Sequence, residues 1–142
     1  MLKDILKNQP ICIPRGVYNE IGIREVKEIA TPDKKELNGK WILVIEVQAN
    51  VGKFMSKHNL DRGESEVILA AKENNATAVI DDLDARKVAK ILGIKLTGTL
   101  ALLKHAHTKS LINSTELKKI IEDLKMKDNF RIGKELESWV FD

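Results

Sequence analysis

Four acidic residues fall where carboxylates could act together: Glu20, Glu64, Asp81 and Asp82. Glu64 opens a stretch of helical spacing directly after Gly63. Asp81 and Asp82 end the apolar run TAVI, with Asp84 just beyond, and Glu20 follows the strand-and-turn start ICIPRGVYN. Carboxylates held close repel one another. A hard divalent cation such as Mg²⁺ or Mn²⁺ relieves that repulsion, and there it could activate water and offset charge on a scissile phosphate. The same placement has a second explanation. Acids in the first turn of a helix favour its dipole, and Asp81-Asp82-Leu83-Asp84 ahead of a helix is good capping chemistry by itself. Spacing alone leaves capping and metal binding both open.

Other reactive side chains read as ordinary. His105 and His107 stand two apart on a helical stretch, hence on different faces, with no Cys or acid at zinc-ligand spacing. His58, in SKHNL, reads as a loop residue. Cys12 is the single cysteine, and its apolar setting ICIP predicts a small buried thiol rather than a nucleophile. Trp41 and Trp139 read as packing residues whose indole nitrogens need partners. Lys118, Lys119, Lys125 and Lys127 read as a solvated face, with an RNA-facing role as the alternative. Gly98-Thr99 is too short a signal for a phosphate-binding turn.

To bring the acids together, strand ends must reach a common edge. Leu2, Ile5 and Leu6 before Pro10 suggest a short helix fragment. ICIP reads as a strand, and Pro14 as the first-turn residue of a helix carrying Val17 and Ile21. WILVIEVQ (41–48) is apolar and β-branched, hence a buried strand. The charged stretch 30–40 reads as a surface loop, and 51–59 as a short helical turn. A helix over Glu64–Asn74 is followed by a short strand at 77–81 and a helix over 84–92 with Val88, Ile91 and Leu92 inward. A strand at 93–99 leads into the helix LALLKHAHTKSL. Ser114 or Thr115 caps a further helix through Leu124, and IGKELESWVFD forms the last. Alternating strands and helices predict a single α/β domain over 1–142 with a mostly parallel sheet, whose strand C-terminal ends share one edge.

Composition narrows the class only a little. The 142 residues are 43% hydrophobic and 32% charged, as in ordinary globular chains. No apolar run approaches the roughly 18 residues of a membrane helix, and MLKDILKNQP has no signal architecture, so a cytoplasmic protein without membrane contact is expected. A net charge of +3 permits a nucleic-acid partner without indicating one. Aromatics at 4% are too few for a base-stacking platform.

The segment LDRGESEVILAAKENNATAVIDDLDARKVAKILGIKLTGTLALLKHA resembles the PIN-like family of prokaryotic predicted nucleic-acid-binding proteins, related to the ribonuclease toxins of toxin–antitoxin pairs. The matching elements are Leu60-Asp61-Arg62-Gly63-Glu64-Ser65-Glu66, Ile80-Asp81-Asp82, Ala85-Arg86 and Gly98-Thr99. The early CIPRGVYNEI and the closing DLKMKDNFRIGKELESWVF match as well. The resemblance implies a three-layer α/β fold and Mg²⁺- or Mn²⁺-dependent hydrolysis of RNA. Its second acid falls on Glu20, its third on Glu64 and its fourth on Asp82, with Asp81 beside it. Glu66 is a weaker candidate because it lies two residues along the helix from Glu64. Asp61 and Asp84 look like capping or solvated residues.

The family normally opens with a strand whose Asp is the first metal ligand, and a helix follows. MLKDILKNQP resembles the end of that helix, and Asp4, in a helical remnant, cannot replace the strand's Asp. The expectation is therefore a PIN-like fold with its first strand missing, an incomplete acidic site, and a gap between two halves of the sheet. Such a gap predicts self-association as a homodimer or higher. The implied partners are RNA and an antitoxin-like protein. The alternatives are an inactive nucleic-acid- or protein-binding module of the same fold and, further off, a small-molecule- or phosphate-binding α/β domain.

Overall fold

The computed structural model describes residues 10–21, 30–31, 42–127 and 130–142. The helix fragment expected before Pro10, most of the 30–40 loop, and Trp41 lie outside them. The described chain divides into two compact units, one ending at Thr97 and the other running from Gly98 to Asp142.

The first unit follows the expected alternation. β1 (Ile11–Pro14) leads into α1 (Arg15–Glu20), followed by β2 (Ala30–Thr31) and β3 (Ile42–Ile45). Next come α2 (Val51–His58), α3 (Arg62–Asn74), β4 (Ala78–Val79), α4 (Leu83–Ile91) and β5 (Leu96–Thr97). Every described pairing is parallel, consistent with α/β architecture. β3 is flanked by β1, in the register Ile11↔Ile42 to Pro14↔Ile45, and by β2. β4 pairs with β5 through Ala78↔Leu96 and Val79↔Thr97. The described strands thus form a three-stranded and a two-stranded sheet where one sheet was expected.

Side-chain alternation sorts the residues of β1. Ile11 and Ile13 pack with Tyr18 against the buried Ile42 and Val44 of β3. Cys12 points to the opposite face and is exposed, which corrects the expectation of a buried thiol. Pro14, at φ −64° and ψ 151°, stands just ahead of α1 at its N-cap instead of inside the first turn.

Helix ends in this unit are set by Asn, Asp and Gly. Asn50 caps α2 by accepting from Lys53 N–H, which turns the expected helical turn at 51–59 into a full helix. His58 is the last residue of that helix rather than a loop residue, with its ring 4.4 Å from Phe54. Asn59 and Asn75 end α2 and α3 in the left-handed region, which Asn tolerates better than other side chains. Gly93, at φ +71°, ends α4 in the same way.

The core of this unit joins Leu60, Ile68, Ala71, Ala78, Ile80, Ala85 and Ala89, with Val88 and Leu92 packed against it. Ile91 is 83% exposed, contrary to expectation. The inward stripe of α4 runs Ala85, Val88, Ala89, Leu92, and Ile91 falls between its members on the outer face.

The second unit is helical: α5 (Thr99–Thr108), α6 (Ser114–Lys127) and α7 (Lys134–Phe141). They enclose Leu103, Ala106, Ile112, Leu117, Ile121 and Val140. Asn113, not Ser114 or Thr115, caps α6. Its Oδ1 accepts from Glu116 N–H at 2.8 Å and its Nδ2 donates to Glu116 Oε1 at 2.9 Å. Ser114 Oγ lies 3.1 Å from His107 Nε2. Lys125 is not simply solvated: its Nζ is 2.6 Å from Glu137 Oε2. Lys104 Nζ sits 4.6 Å over the Trp139 ring and donates to Trp139 O at 2.6 Å. No helix among the described residues is long and apolar enough to cross a membrane.

Candidate active site

One cleft of about 290 Å³ in the first unit is lined by Glu20, Asp61, Glu64, Asp81 and Asp82, over an apolar floor that includes Val17, Val67 and Ile80. All four acids singled out in the sequence therefore border one space, joined by Asp61. Three segments deliver them: the end of α1, the start of α3, and the turn from β4 into α4. Glu20 ends the helix that follows β1, Asp61 and Glu64 open α3, and Asp81 and Asp82 stand between β4 and α4.

Local structure holds Asp61, Glu64 and Asp82. Asp61 is the N-cap of α3. Its Oδ1 accepts from Glu64 N–H at 2.8 Å, and Glu64 Oε2 accepts in return from Asp61 N–H at 3.4 Å, completing a capping box. Asp82 is the N-cap of α4, its Oδ2 accepting from Ala85 N–H at 2.9 Å. Glu20, the last residue of α1, lays its carboxylate against Gly63, where a Cβ would meet Glu20 Oε2 at 3.0 Å. Asp81 and Asp84 are exposed, and Asp84 stands in the first turn of α4 outside the cleft lining.

Crowding alters proton affinity at Glu64. Burial, and then the negative charges of Asp61 and Asp82, push its carboxyl above the usual glutamate range, with a smaller push from Asp84. The hydrogen bond from Asp61 N–H opposes this without cancelling it. Among the described residues, no three His, Cys, Asp or Glu side chains already stand close enough to hold a metal ion. His105 and His107 belong to the other unit.

The family model for the PIN domain matches residues 1–141. The chain belongs to the PIN-domain family. No curated protein and no solved structure matches it.

Two residues of this PIN domain matter more than their sequence setting suggests. The Glu66 side chain is 6% exposed, and Oε2 has no hydrogen-bond partner among the described residues. Arg62 Nε, 3.6 Å away on a mostly exposed side chain, is too far for a hydrogen bond. Glu66 fills the space a side chain at Gly16 would take, and a Cβ there would lie 2.6 Å from Glu66 Cδ. The sequence places Glu66 on a different helical face from Glu64, and it does lie outside the cleft lining, but its burial depends on a glycine fifty residues earlier. Arg86 reaches back from α4 to the ends of both strands of the two-stranded sheet, donating from Nη1 to Ile80 O at 2.7 Å and Thr97 O at 3.3 Å. The Ala-Arg pair after Asp81-Asp82 was its only signal.

Proposed function

We propose that this PIN domain is a metal-dependent ribonuclease that hydrolyses RNA phosphodiesters, with Glu20, Glu64, Asp81 and Asp82 holding Mg²⁺ or Mn²⁺. The observation that carries the reading is the arrival of these acids, from three separate segments, at one cleft. The donor chemistry fits a hard divalent cation: all-oxygen ligands, with the Glu64 carboxyl held above the ordinary glutamate range by burial and then by its acidic neighbours. When bound, such a cation would offset charge on a phosphodiester and make water a better nucleophile.

The chain's own groups have definite tasks in this reading. Glu64, held above the usual glutamate range by burial and then by Asp61 and Asp82, would have to be ionised to hold the cation, so metal affinity would fall as the pH is lowered. Asp82 keeps Oδ2 on the helix cap while the residue borders the cleft. Val17, Val67 and Ile80 keep the floor apolar, which strengthens each charge interaction above it. A toxin role with an antitoxin-like partner, and self-association, belong to the same proposal. β1 and β4 each have a strand on one side only among the described residues, and such edges pair readily with a second copy. A clean monomer by light scattering at micromolar concentration would overturn the self-association.

A second reading, a binding module without cleavage, is favoured by the lack of three already converged ligands among the described residues. Amide substitutions separate the possibilities because they remove charge while keeping the caps. Asn caps as well as Asp, and Gln can replace Glu in a capping box. Wild type should bind Mn²⁺ by calorimetry and cleave single-stranded RNA only with metal present. E20Q, E64Q, D81N and D82N should each lower both by tenfold or more. RNA binding without cleavage would favour the module, and variants indistinguishable from wild type would remove the metal site.

A further inference from the structure

Arg86 neither caps a helix nor lines the cleft, yet its side chain closes a ring around the segment that carries two of the cleft acids. Its backbone N–H bonds Asp82 O at 2.9 Å in the first turn of α4. Its guanidinium turns back to Ile80 O, the carbonyl immediately before Asp81. The same Nη1 reaches Thr97 O, which already accepts from Ile80 N–H at 3.0 Å. One side chain therefore ties the exit of β4, the exit of β5 and the start of α4 together, and Asp81-Asp82 is the turn they enclose. We propose that Arg86 is a positioning residue: it fixes the direction in which the Asp81 and Asp82 carboxylates leave that turn, and so sets their convergence on the cleft. The inference rests on the metal-site reading of the cleft.

Two features favour geometry over charge as the reason for an arginine here. The guanidinium bonds to two neutral carbonyls, and a planar donor group can serve both at a fixed angle, which a lysine ammonium does less well. A cation beside the turn also opposes the entry of a metal cation. Its charge alone would weaken the site, while its bonds would build it.

That opposition gives the test its sign. Mn²⁺ affinity is measured by calorimetry on the full chain for wild type, R86A, R86Q and R86K, below each melting transition. Amide NMR shifts of Asp81 and Asp82 are followed in parallel. Positioning predicts Mn²⁺ binding weakened about tenfold or more in R86A and R86Q, the range seen when a residue orienting a metal ligand is removed. R86K, which keeps the charge and can satisfy one carbonyl, should fall between, and the Asp81 and Asp82 amides should shift. Unchanged affinity with only a lower melting temperature would make Arg86 a structural brace and overturn the proposal. Tighter binding in R86A and R86Q with wild-type affinity in R86K would assign it a purely electrostatic effect and overturn it too. Should R86A fail to fold, R86K and R86Q decide. Wild type failing to bind Mn²⁺ would remove the metal-site reading and this inference with it, whereas wild-type binding matched by all three variants removes the inference alone.

Discussion

Glu66→Met should make the protein more stable, although it removes an ion pair. The Glu66 side chain is 6% exposed, its Oε2 has no hydrogen-bond partner among the described residues, and its ion pair with Arg62 is a long 3.6 Å contact to a side chain that is 60% exposed. Leaving a buried polar atom unsatisfied costs about 1–3 kcal/mol, and more when it is charged. A pair with one solvated partner returns about 0–1 kcal/mol. The balance favours an apolar side chain of similar length by about 1–2 kcal/mol, in line with the gains seen when buried charges give way to packed hydrophobic groups. Methionine is flexible enough to fill the slot over Gly16. At about 2–4 °C per kcal/mol for a chain of this size, the melting temperature should rise by about 2–8 °C by circular dichroism or calorimetry. Arg62→Met alone should change stability by less than about 1 kcal/mol, since it removes only the solvated partner. A melting temperature for Glu66→Met below wild type would refute the reasoning, because the carboxylate would then be satisfied in a way the geometry does not provide.

Other substitutions test separate parts of the structure. Glu64→Gln probes the crowded carboxyl. A raised folded-state pKa means the folded protein holds this proton at pH values where the unfolded chain has already lost it. Stability from Glu64 is thus fully present below its unfolded pKa and lost as pH rises through the folded one. The stability difference, Gln variant minus wild type, should grow from about pH 4 to pH 7 in urea melts, where carboxylates titrate; a difference that shrinks would contradict the crowding. Asn113→Ala should cost about 0.5–2 kcal/mol through the lost cap, while Ser114→Ala and Thr115→Ala should cost clearly less. Equal costs at the three positions would argue that the cap is shared. Ile91→Lys, on the outer face of α4, should stay within about 0.5 kcal/mol of wild type, whereas Ala89→Leu at the fully buried position two residues earlier should cost about 1–3 kcal/mol. The reverse ranking in thermal melts would mean that α4 is rotated.

What the sequence made legible follows the range of each signal. β3 is nearly continuous in Leu, Ile and Val, and a run this apolar has few alternatives to a central strand. Asp61 and Glu64 stand at capping-box spacing, so the start of α3 could be read locally. Asn113 does not stand out in the sequence because Ser114 and Thr115 directly after it are equally good capping types, and only the actual backbone turn selects among three neighbours. Ile91 looks inward in the sequence because a short helix has several apolar stripes, and the partners of α4 choose the one beginning at Ala85. Cys12 was assigned to the core by the company of Ile11 and Ile13, although alternation puts it on the other face. For the cleft acids the sequence leaves capping and metal binding both open, and their common cleft depends on the fold. The burial of Glu66 was not, since it depends on the bare backbone of Gly16 across the α1–α3 packing. The division of the described strands into two sheets has no local signature either.

Capping and metal binding, opposed when only spacing is known, can share residues once each oxygen is followed. A cap uses one oxygen of a carboxylate: Asp61 spends Oδ1 on Glu64 N–H, and Asp82 spends Oδ2 on Ala85 N–H. A cap of this kind engages one oxygen of the carboxylate and keeps the side chain from turning away. Capping also leaves part of the constellation unexplained. Glu20 stands at the C-terminal end of α1, the end where a helix dipole disfavours a carboxylate, and its charge is laid against the first turn of α3, which Asp61 and Glu64 already serve. A helix start needs one acid or two. A third, brought from another element, is not required by capping, and Glu64 is pushed up by burial and then by the charges of Asp61, Asp82 and Asp84. Repulsion of this kind is relieved by a proton or by a cation, and these respond oppositely to pH: lowering it satisfies the cluster by protonation and displaces the metal. Mn²⁺ affinity that falls with decreasing pH in wild type, and falls less steeply in Glu64→Gln, is the behaviour expected if the caps serve as the mounting of a cation site.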